Sequence, residues 1–212
     1  MGVENIQNYL QASVEIDCDH PSIIELNQRL TQDCNTASDK AVKLFYYVRD
    51  ECHYNMYATT GERAAYRSST ILESGQGWCL QKAILLASLG RAAAIPSRLI
   101  LVSIRNHKSP PEAVELMGTN VFFPHAYNHF FLNNKWVKAA ATFDREICQR
   151  IQVPTVEFDG INDAILPGLD LNGQPYIEYL EEYGTFAEIP WEMILENSYK
   201  LYGEIAHHWL KE

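Results

Sequence analysis

The segment from Cys79 to about Ala94 constrains the fold most, because apolar side chains cover nearly the whole circumference of the helix that it predicts. Ile95 and Pro96 follow directly, and a proline together with the residue before it ends a helix. A helix that is apolar on all sides is buried on most of its surface. We therefore predict a buried helix that the rest of the chain must cover.

Helical patterns precede this segment. Ser22 to Glu25 has the sequence of a capping box, and Thr36 to Asp39 offers a second helix cap. Apolar residues follow both caps at helical spacing, which predicts two amphipathic helices packed on the core. Residues 54–75 contain Thr-Thr-Gly and Ser-Ser-Thr sequences and are expected to be loop.

Strand patterns follow the buried helix. Alternating apolar residues predict three strands, at 98–104, 121–132 and 135–143, with a two-residue turn at Asn133-Asn134. From Pro154 the chain is acidic and rich in loops, and a closing helix is expected from Trp191 to about Trp209. Helices, then a buried helix, then antiparallel strands predict the α+β class.

Charge and cysteine usage limit the partners and the location. The 212 residues include 17 basic and 27 acidic ones, a net charge of −10, without a basic cluster, so nucleic acid and membrane are not expected as partners. The five cysteines are odd in number and lack a C-x-x-C pair, which favours a reducing, cytoplasmic location over disulfides or structural zinc. The N-terminus has no secretory-signal pattern, and no apolar run reaches membrane-spanning length.

Cys79 has the sequence setting of a nucleophile. Ser74-Gly75-Gln76-Gly77-Trp78 predicts a flexible turn that places the cysteine at the N-terminus of the buried helix. Unpaired N–H groups and the helix dipole favour a thiolate there and can hold an oxyanion. The alternative, a buried core cysteine, has about equal weight until the glycines on both sides of Gln76 are considered, because a core residue needs no flexible turn.

A thiolate nucleophile needs a base, usually an imidazole on a neighbouring element. His125, Tyr127, His129 and Phe131 share one face of a predicted strand, because side chains alternate along it. For a single histidine, a half-buried structural role is the more frequent alternative.

The residues around these positions resemble the transglutaminase-like cysteine enzymes. Two segments are similar to that family's nucleophile helix and its histidine and tryptophan strands: Gly77-x-Cys79-x-x-Lys82-Ala83 with Ile95-Pro96-x-Arg98, and His125-Ala126-Tyr127 with Lys135-Trp136-Val137. Four further segments resemble a bacterial subgroup: Ile16–Pro21, Val48–Asp50, Arg105–His107 and Phe158–Gly160.

The resemblance implies a papain-like α+β fold, in which the nucleophile helix packs on an antiparallel sheet. It implies Cys79 as the nucleophile and His125 as the base, with His129 as a weaker candidate. Gln76 and Trp78, beside the cysteine, are candidates for oxyanion and substrate binding. The implied arrangement is one domain over 1–212, made of an N-terminal helical part (1–75), a catalytic core (76–144) and a loop-rich C-terminal extension (145–212).

The third catalytic residue departs from the family pattern. The family's acid follows the tryptophan in an Asp-x-Thr sequence, and the corresponding residue here is Ala140. With a two-residue loop at Asn133-Asn134, the numbers of paired residues in the hairpin sum to 267, so His125 lies opposite Thr142. The diagonal neighbours of His125 on the same face of the sheet are then Ala140 and Asp144. Asp144 is therefore the candidate acid, although a register shift of one residue would turn it to the other face. An exposed acid at a strand end is an equal alternative, and an asparagine, Asn106 or Asn128, could also orient the imidazole.

Two function classes follow. The leading one is a cysteine-dependent acyl-transfer enzyme that acts on an amide or thioester of a peptide or small molecule, with hydrolysis as the default. Transfer to an amine, as in an acyltransferase or a transglutaminase, is the alternative within this class. The rival class is a binding module that keeps the fold without catalysis, for which Ala140 is the main argument. No cofactor or metal is expected, because no phosphate loop or ligand spacing is present.

Overall fold

Residues 5–206 are described by the structure, which is a computed structural model. The helices within this range are α1 (Pro21–Thr31), α2 (Ala37–Glu51), α3 (Ser68–Ser74), α4 (Cys79–Ala92), α5 (Pro111–Met117), α6 (Arg145–Ile151) and α7 (Trp191–Tyr202). The strands are β1 (His53–Tyr54), β2 (Gln76–Gly77), β3 (Ser97–Asn106), β4 (Val121–Leu132), β5 (Lys135–Ala139) and β6 (Ile177–Phe186). Short 3-10 turns lie at Ile6–Leu10, Met56–Ala58, Arg63–Tyr66 and Gly203–Ile205.

The N-terminal helices form where the sequence predicts them, with one different cap. At the start of α2, Thr36 and Asp39 form the predicted capping box, in which each side chain accepts a hydrogen bond from the other residue's N–H at 3.1 Å. The capping box predicted at Ser22 is wrong, because the helix already begins at Pro21 and the Nδ1 atom of His20 accepts the Ser22 N–H. The prediction of loop over 54–75 is also too simple, since α3 and two 3-10 turns lie there.

Four antiparallel strands form the main sheet, in the order β5-β4-β3-β6. The hairpin of β4 and β5 has the predicted turn, with both Asn133 and Asn134 at positive φ. The β6 strand pairs with β3 from Leu99 to Asn106 and completes the sheet. The sequence does not predict this strand, because its outward side is acidic and hides the alternation.

Helix α4 is buried along nearly its whole length, as the sequence predicts. Thirteen of its fourteen residues are buried, and only Ala92 is partly exposed. One face of the sheet packs against it so closely that a Cβ on Gly90 would lie 2.2 Å from the Ser97 hydroxyl. Asn128 of β4 donates a hydrogen bond to the Ala83 carbonyl of α4 at 2.9 Å. The predicted α+β fold, with a central helix on an antiparallel sheet and further helices before it, is confirmed.

None of the helices within residues 5–206 combines the length and the apolar character that crossing a membrane requires. The predicted closing helix is present but ends at Tyr202, and Trp209 lies outside the described residues.

Candidate active site

The turn before α4 is fixed by specific contacts rather than flexible. Gly75 ends α3 at a φ of +65°, a left-handed conformation that favours glycine. Gln76 and Gly77 then pair in parallel with β1. A side chain on Gly77 would meet Gln81, whose Cβ lies 2.9 Å from the position of the missing Cβ. The Gln81 side chain in turn accepts the Trp78 N–H at 3.2 Å, which caps the N-terminus of α4.

Cys79 is the first residue of α4, and its side chain lies against the backbone of β4. The residue is 7% exposed, and its Sγ is 3.6 Å from the Pro124 carbonyl oxygen. Burial raises the pKa of the thiol to about 12, although N–H groups of Ala126, Leu80 and Cys79 itself lower it. The predicted thiolate is therefore not the resting form, because desolvation outweighs the backbone dipoles at this helix terminus.

His125 lies on β4 between the two residues that contact the thiol. It is 2% exposed, and its ring centroid lies 6.3 Å from that of Tyr127 and 6.4 Å from that of Tyr179. Its Nε2 atom is buried and has no hydrogen-bond partner within residues 5–206. Burial lowers the pKa of the imidazole to about 3. The ring is therefore neutral near pH 7, and the same burial makes it a weak base in the resting protein.

The two side chains meet at a cavity rather than in a direct bond. Within residues 5–206, no hydrogen bond joins the Cys79 thiol to the His125 imidazole. Side-chain alternation places His125 on the sheet face opposite Asn128, whereas α4 packs on the Asn128 face. The thiol lies at the edge of β4, and both residues line one cavity of about 590 Å³. Catalytic hydrogen bonds are often long before substrate binds, so this arrangement is compatible with a Cys-His pair.

Asp144 is not on the strand that the sequence predicts. The register is correct, since Asn128 pairs with Ala139 and the numbers sum to 267, but β5 ends there. Asp144 instead caps α6, and its two carboxylate oxygens accept the N–H groups of Ile147 at 2.9 Å and Tyr54 at 3.0 Å. The predicted diagonal contact with His125 is therefore wrong, because the chain leaves the sheet before reaching that position.

The position of the family's acid, one candidate asparagine and the weaker candidate base all have other partners. Ala140 is buried at 1% exposure, and its N–H donates to the Ala164 carbonyl. The Asn106 side chain lines the cavity but accepts the Lys108 N–H. His129 accepts a hydrogen bond from the Arg98 Nε at 3.2 Å and stacks on Trp136, away from the cavity. The structure brings none of these groups to the His125 ring.

Gln76 and Trp78 differ in their relation to the cavity. Gln76 is exposed and accepts a hydrogen bond from the Asn55 side chain. Trp78 lines the cavity, and its buried indole Nε1 interacts with the Tyr66 hydroxyl without ordinary hydrogen-bond geometry. A buried donor that is only weakly paired is costly, and one beside a nucleophile is suited to hold a substrate oxygen.

Two groups of residues at or near the site have contacts that the sequence does not predict. The first is Lys82, which is 1% exposed and donates to the carbonyls of Arg49 at 3.0 Å and Cys52 at 2.6 Å, at the end of α2. Burial lowers the pKa of its amine to about 8. The second group lines the cavity from the C-terminal helix α7: Trp191, Ile194, Ser198 and Tyr202. Their spacing in the sequence predicts a common face of the helix, but the sequence does not predict that this face lies near Cys79.

Metal ligands do not cluster anywhere in the described part of the chain. No group of three or more His, Cys, Asp or Glu side chains within residues 5–206 could hold a metal ion.

Comparison with known proteins places this geometry in a family. The core profile of the transglutaminase-like superfamily matches residues 24–141, which is more than half of the chain and includes both Cys79 and His125. The chain belongs to the transglutaminase-like superfamily. No curated protein matches it.

One solved structure has a similar fold at low sequence identity, and two others match more weakly. A candidate cysteine protease from Cytophaga hutchinsonii is 16% identical with a TM-score of 0.51, covering 87% of this chain. This chain spans 55% of that protein, so the likeness concerns the fold alone. A candidate protease from Parabacteroides distasonis is 16% identical with a TM-score of 0.41, and the match covers 65% of this chain and 25% of that protein. A TGase is 18% identical with a TM-score of 0.38, and the match covers 60% of this chain and 31% of that protein.

Proposed function

We propose that this transglutaminase-like protein is a cysteine-dependent acyl-transfer enzyme that acts on an amide or thioester. One observation carries the proposal. The Cys79 thiol, at the N-terminus of a buried helix, lies against the β4 backbone on either side of His125, and both residues line a single cavity. A core cysteine does not need to line a cavity of substrate size.

The chemistry begins from a neutral pair. The Cys79 sulfur attacks the substrate carbonyl carbon while its proton moves to the neutral His125 imidazole, and the negative charge that develops on the substrate oxygen stabilises the imidazolium that burial otherwise disfavours. The carbonyl oxygen gains negative charge and accepts hydrogen bonds from N–H groups at the start of α4 and from the Trp78 indole. Collapse breaks the bond to the leaving amine or thiol, and His125 returns the proton to that group.

Water or an amine then releases the acyl group from the sulfur. Hydrolysis is the default, because water is always present at the mouth of the cavity, and transfer to an amine would give the transglutaminase type of product. Asp144 has a positioning role in this scheme, because its carboxylate holds the Tyr54 backbone, which pairs with Gly77 two residues before the nucleophile.

An acyl-enzyme experiment tests the proposal. The protein is mixed with S-(4-nitrophenyl) thioacetate, and the burst of 4-nitrothiophenol is followed while mass spectrometry locates the acetyl group. We expect one acetyl per chain on Cys79 and no burst in Cys79→Ala. His125→Gln should slow the burst at least tenfold, because the proton acceptor is lost.

Two other cysteines provide controls. Cys148 is buried at 2% exposure and does not line the cavity, so Cys148→Ser should keep the burst. Cys34 is partly exposed, so Cys34→Ser removes background acylation. A burst that survives in Cys79→Ala would refute the proposed nucleophile.

A binding module is the second candidate function, and Ala140 favours it. Where the family has its acid, this chain has a buried alanine, and the His125 Nε2 has no partner within residues 5–206. A module of this kind would show no burst while still binding ligands in the cavity.

A further inference from the structure

The walls of the cavity define the acyl group that fits it. Cys79 lies at one wall of a space of about 590 Å³, and most of the surrounding side chains are aromatic or aliphatic. Aromatic rings from distant parts of the chain line the cavity, among them Tyr66, Phe122, Phe143 and Trp191. Cavities of this size and character bind the apolar part of a small ligand. Leu116 is 58% exposed and Tyr57 is 75% exposed, so apolar surface also continues to the rim.

The mouth of the cavity is less acidic than the molecule as a whole. The chain as a whole has a net charge of −10, but the charged residues that line the cavity are two cations, Lys108 and Arg150, and one acid, Glu112. The acidic segment 157–188 contributes no lining residue. The mouth is therefore less acidic than the molecule as a whole, and attraction for an anion there depends on a single cation that is unpaired within residues 5–206.

Arg150 is the cation available for such a group. The Lys108 amine is already paired with Asp170 at 2.5 Å. Arg150 is exposed and forms no ion pair within residues 5–206, and it lies on the same face of α6 as Ile147 and Ile151, which also line the cavity. A guanidinium beside an apolar cavity is suited to bind a carboxylate or phosphate whose remaining atoms are apolar.

We propose that the acyl donor has an apolar acyl group of roughly phenylalkyl size and a carboxylate or phosphate that binds Arg150 at the mouth of the cavity. This inference rests on the proposed acyl-transfer site and specifies the substrate of that site. The apolar part fills the aromatic cavity, the reactive carbonyl lies beside Cys79, and the anion marks the outer end.

Binding to Cys79→Ala protein tests the inference without catalysis. Isothermal titration calorimetry compares three probes, which are 4-phenylbutyrate, the neutral 4-phenylbutyramide and succinate. We expect 4-phenylbutyrate to bind at least fivefold more tightly than the amide, and succinate not to bind measurably, because it lacks the apolar part. Arg150→Gln should remove the preference for the acid, and raised salt should weaken it in the parent.

Arg145→Gln is the matched control, because Arg145 lies on the same helix, does not line the cavity and pairs with Asp50 at 3.9 Å. It should keep the affinity for 4-phenylbutyrate within twofold. Equal affinities for the acid and the amide, no binding of either, or an unchanged preference in Arg150→Gln would overturn the inference. Those results would not affect the proposal that Cys79 is acylated. Conversely, if the protein preferred 4-phenylbutyrate over the amide but gave no burst of 4-nitrothiophenol, only the proposed enzyme activity would be refuted.

Discussion

At the scale of single residues, two aspartates of similar sequence appearance have opposite settings. Asp144 is 4% exposed and accepts two backbone N–H groups, one of which belongs to Tyr54 beside the nucleophile turn. Asp159 is exposed, and its hydrogen bonds stay within its own loop, to Ile161 and Asn162. The difference is invisible in the sequence, where both are acids in loop-like stretches.

Replacing these aspartates should separate their roles. Asp144→Ala removes the acceptor that holds Tyr54, and a small shift of the reacting groups can cost a large factor in rate, so we expect turnover to fall roughly 10- to 100-fold. Asp159→Ala should leave turnover within about twofold, because its loop lies away from the cavity. Initial rates with S-(4-nitrophenyl) thioacetate measure both. Equal rates in the two variants would remove Asp144 from the site.

His125 should make the stability of the fold depend on pH. The pKa of its imidazole is about 3 in the folded chain, against about 6.5 when unfolded, so the unfolded state binds more protons between these values. The stabilisation is fully present above about pH 6.5 and is lost as the pH falls toward 3. At about 1.4 kcal/mol per unit, the free energy of unfolding should fall by roughly 2 kcal/mol between pH 7 and pH 5.

Urea unfolding at the two pH values measures this contribution. Between pH 7 and pH 5, the free energy of unfolding of His125→Gln should fall by roughly 2 kcal/mol less than that of the parent chain, whatever the absolute stability of the variant. His53→Gln, at an exposed position, should keep the pH dependence of the parent chain. An identical pH dependence in His125→Gln would show that water reaches the imidazole in the folded state.

At the scale of elements, repeating patterns predict more than the ends of elements do. The buried helix, the strand at 121–132 and the register sum of 267 follow from apolar spacing and from the two-residue turn. The end of β5 does not, because Ala140 leaves β4 to bond with Ala164, a partner distant in sequence. The predicted position of Asp144 on the strand is wrong for the same reason.

Lys82 links two helices near the nucleophile, and its loss should be costly. The buried amine donates to carbonyls at the end of α2 from the first turns of α4, one turn after Cys79. Lys82→Met removes the charge but leaves both carbonyls without that donor, so we expect a loss of about 2–4 kcal/mol in the free energy of unfolding. Lys200→Met, at an exposed pair with Glu196, should change it by less than about 0.5 kcal/mol. Urea denaturation compares the two, and similar midpoints would contradict a structural role for Lys82.

At the scale of the whole molecule, the part of the chain that looks least ordered in sequence completes both the sheet and the site. Residues from 145 onward were predicted as a loop-rich extension, yet β6 pairs with β3 and α7 lines the cavity. The Tyr202 hydroxyl accepts the Phe123 N–H at 2.8 Å, which ties α7 to β4 just before His125. These contacts join residues that are 70 or more positions apart, and local patterns carry no information about them.

A chain that ends at Gln174 tests this dependence. It would lack β6 and α7, which leaves the apolar strand β3, with Val102 and Ile104, as an unpaired edge that can bind other copies. We expect the shortened chain to aggregate in gel filtration and to lose its cooperative urea transition. If it remained monomeric and unfolded with the slope of the parent chain, the surface buried on folding would be unchanged. In that case the sheet would not need its last strand, and α7 would be an addition to the site rather than one of its walls.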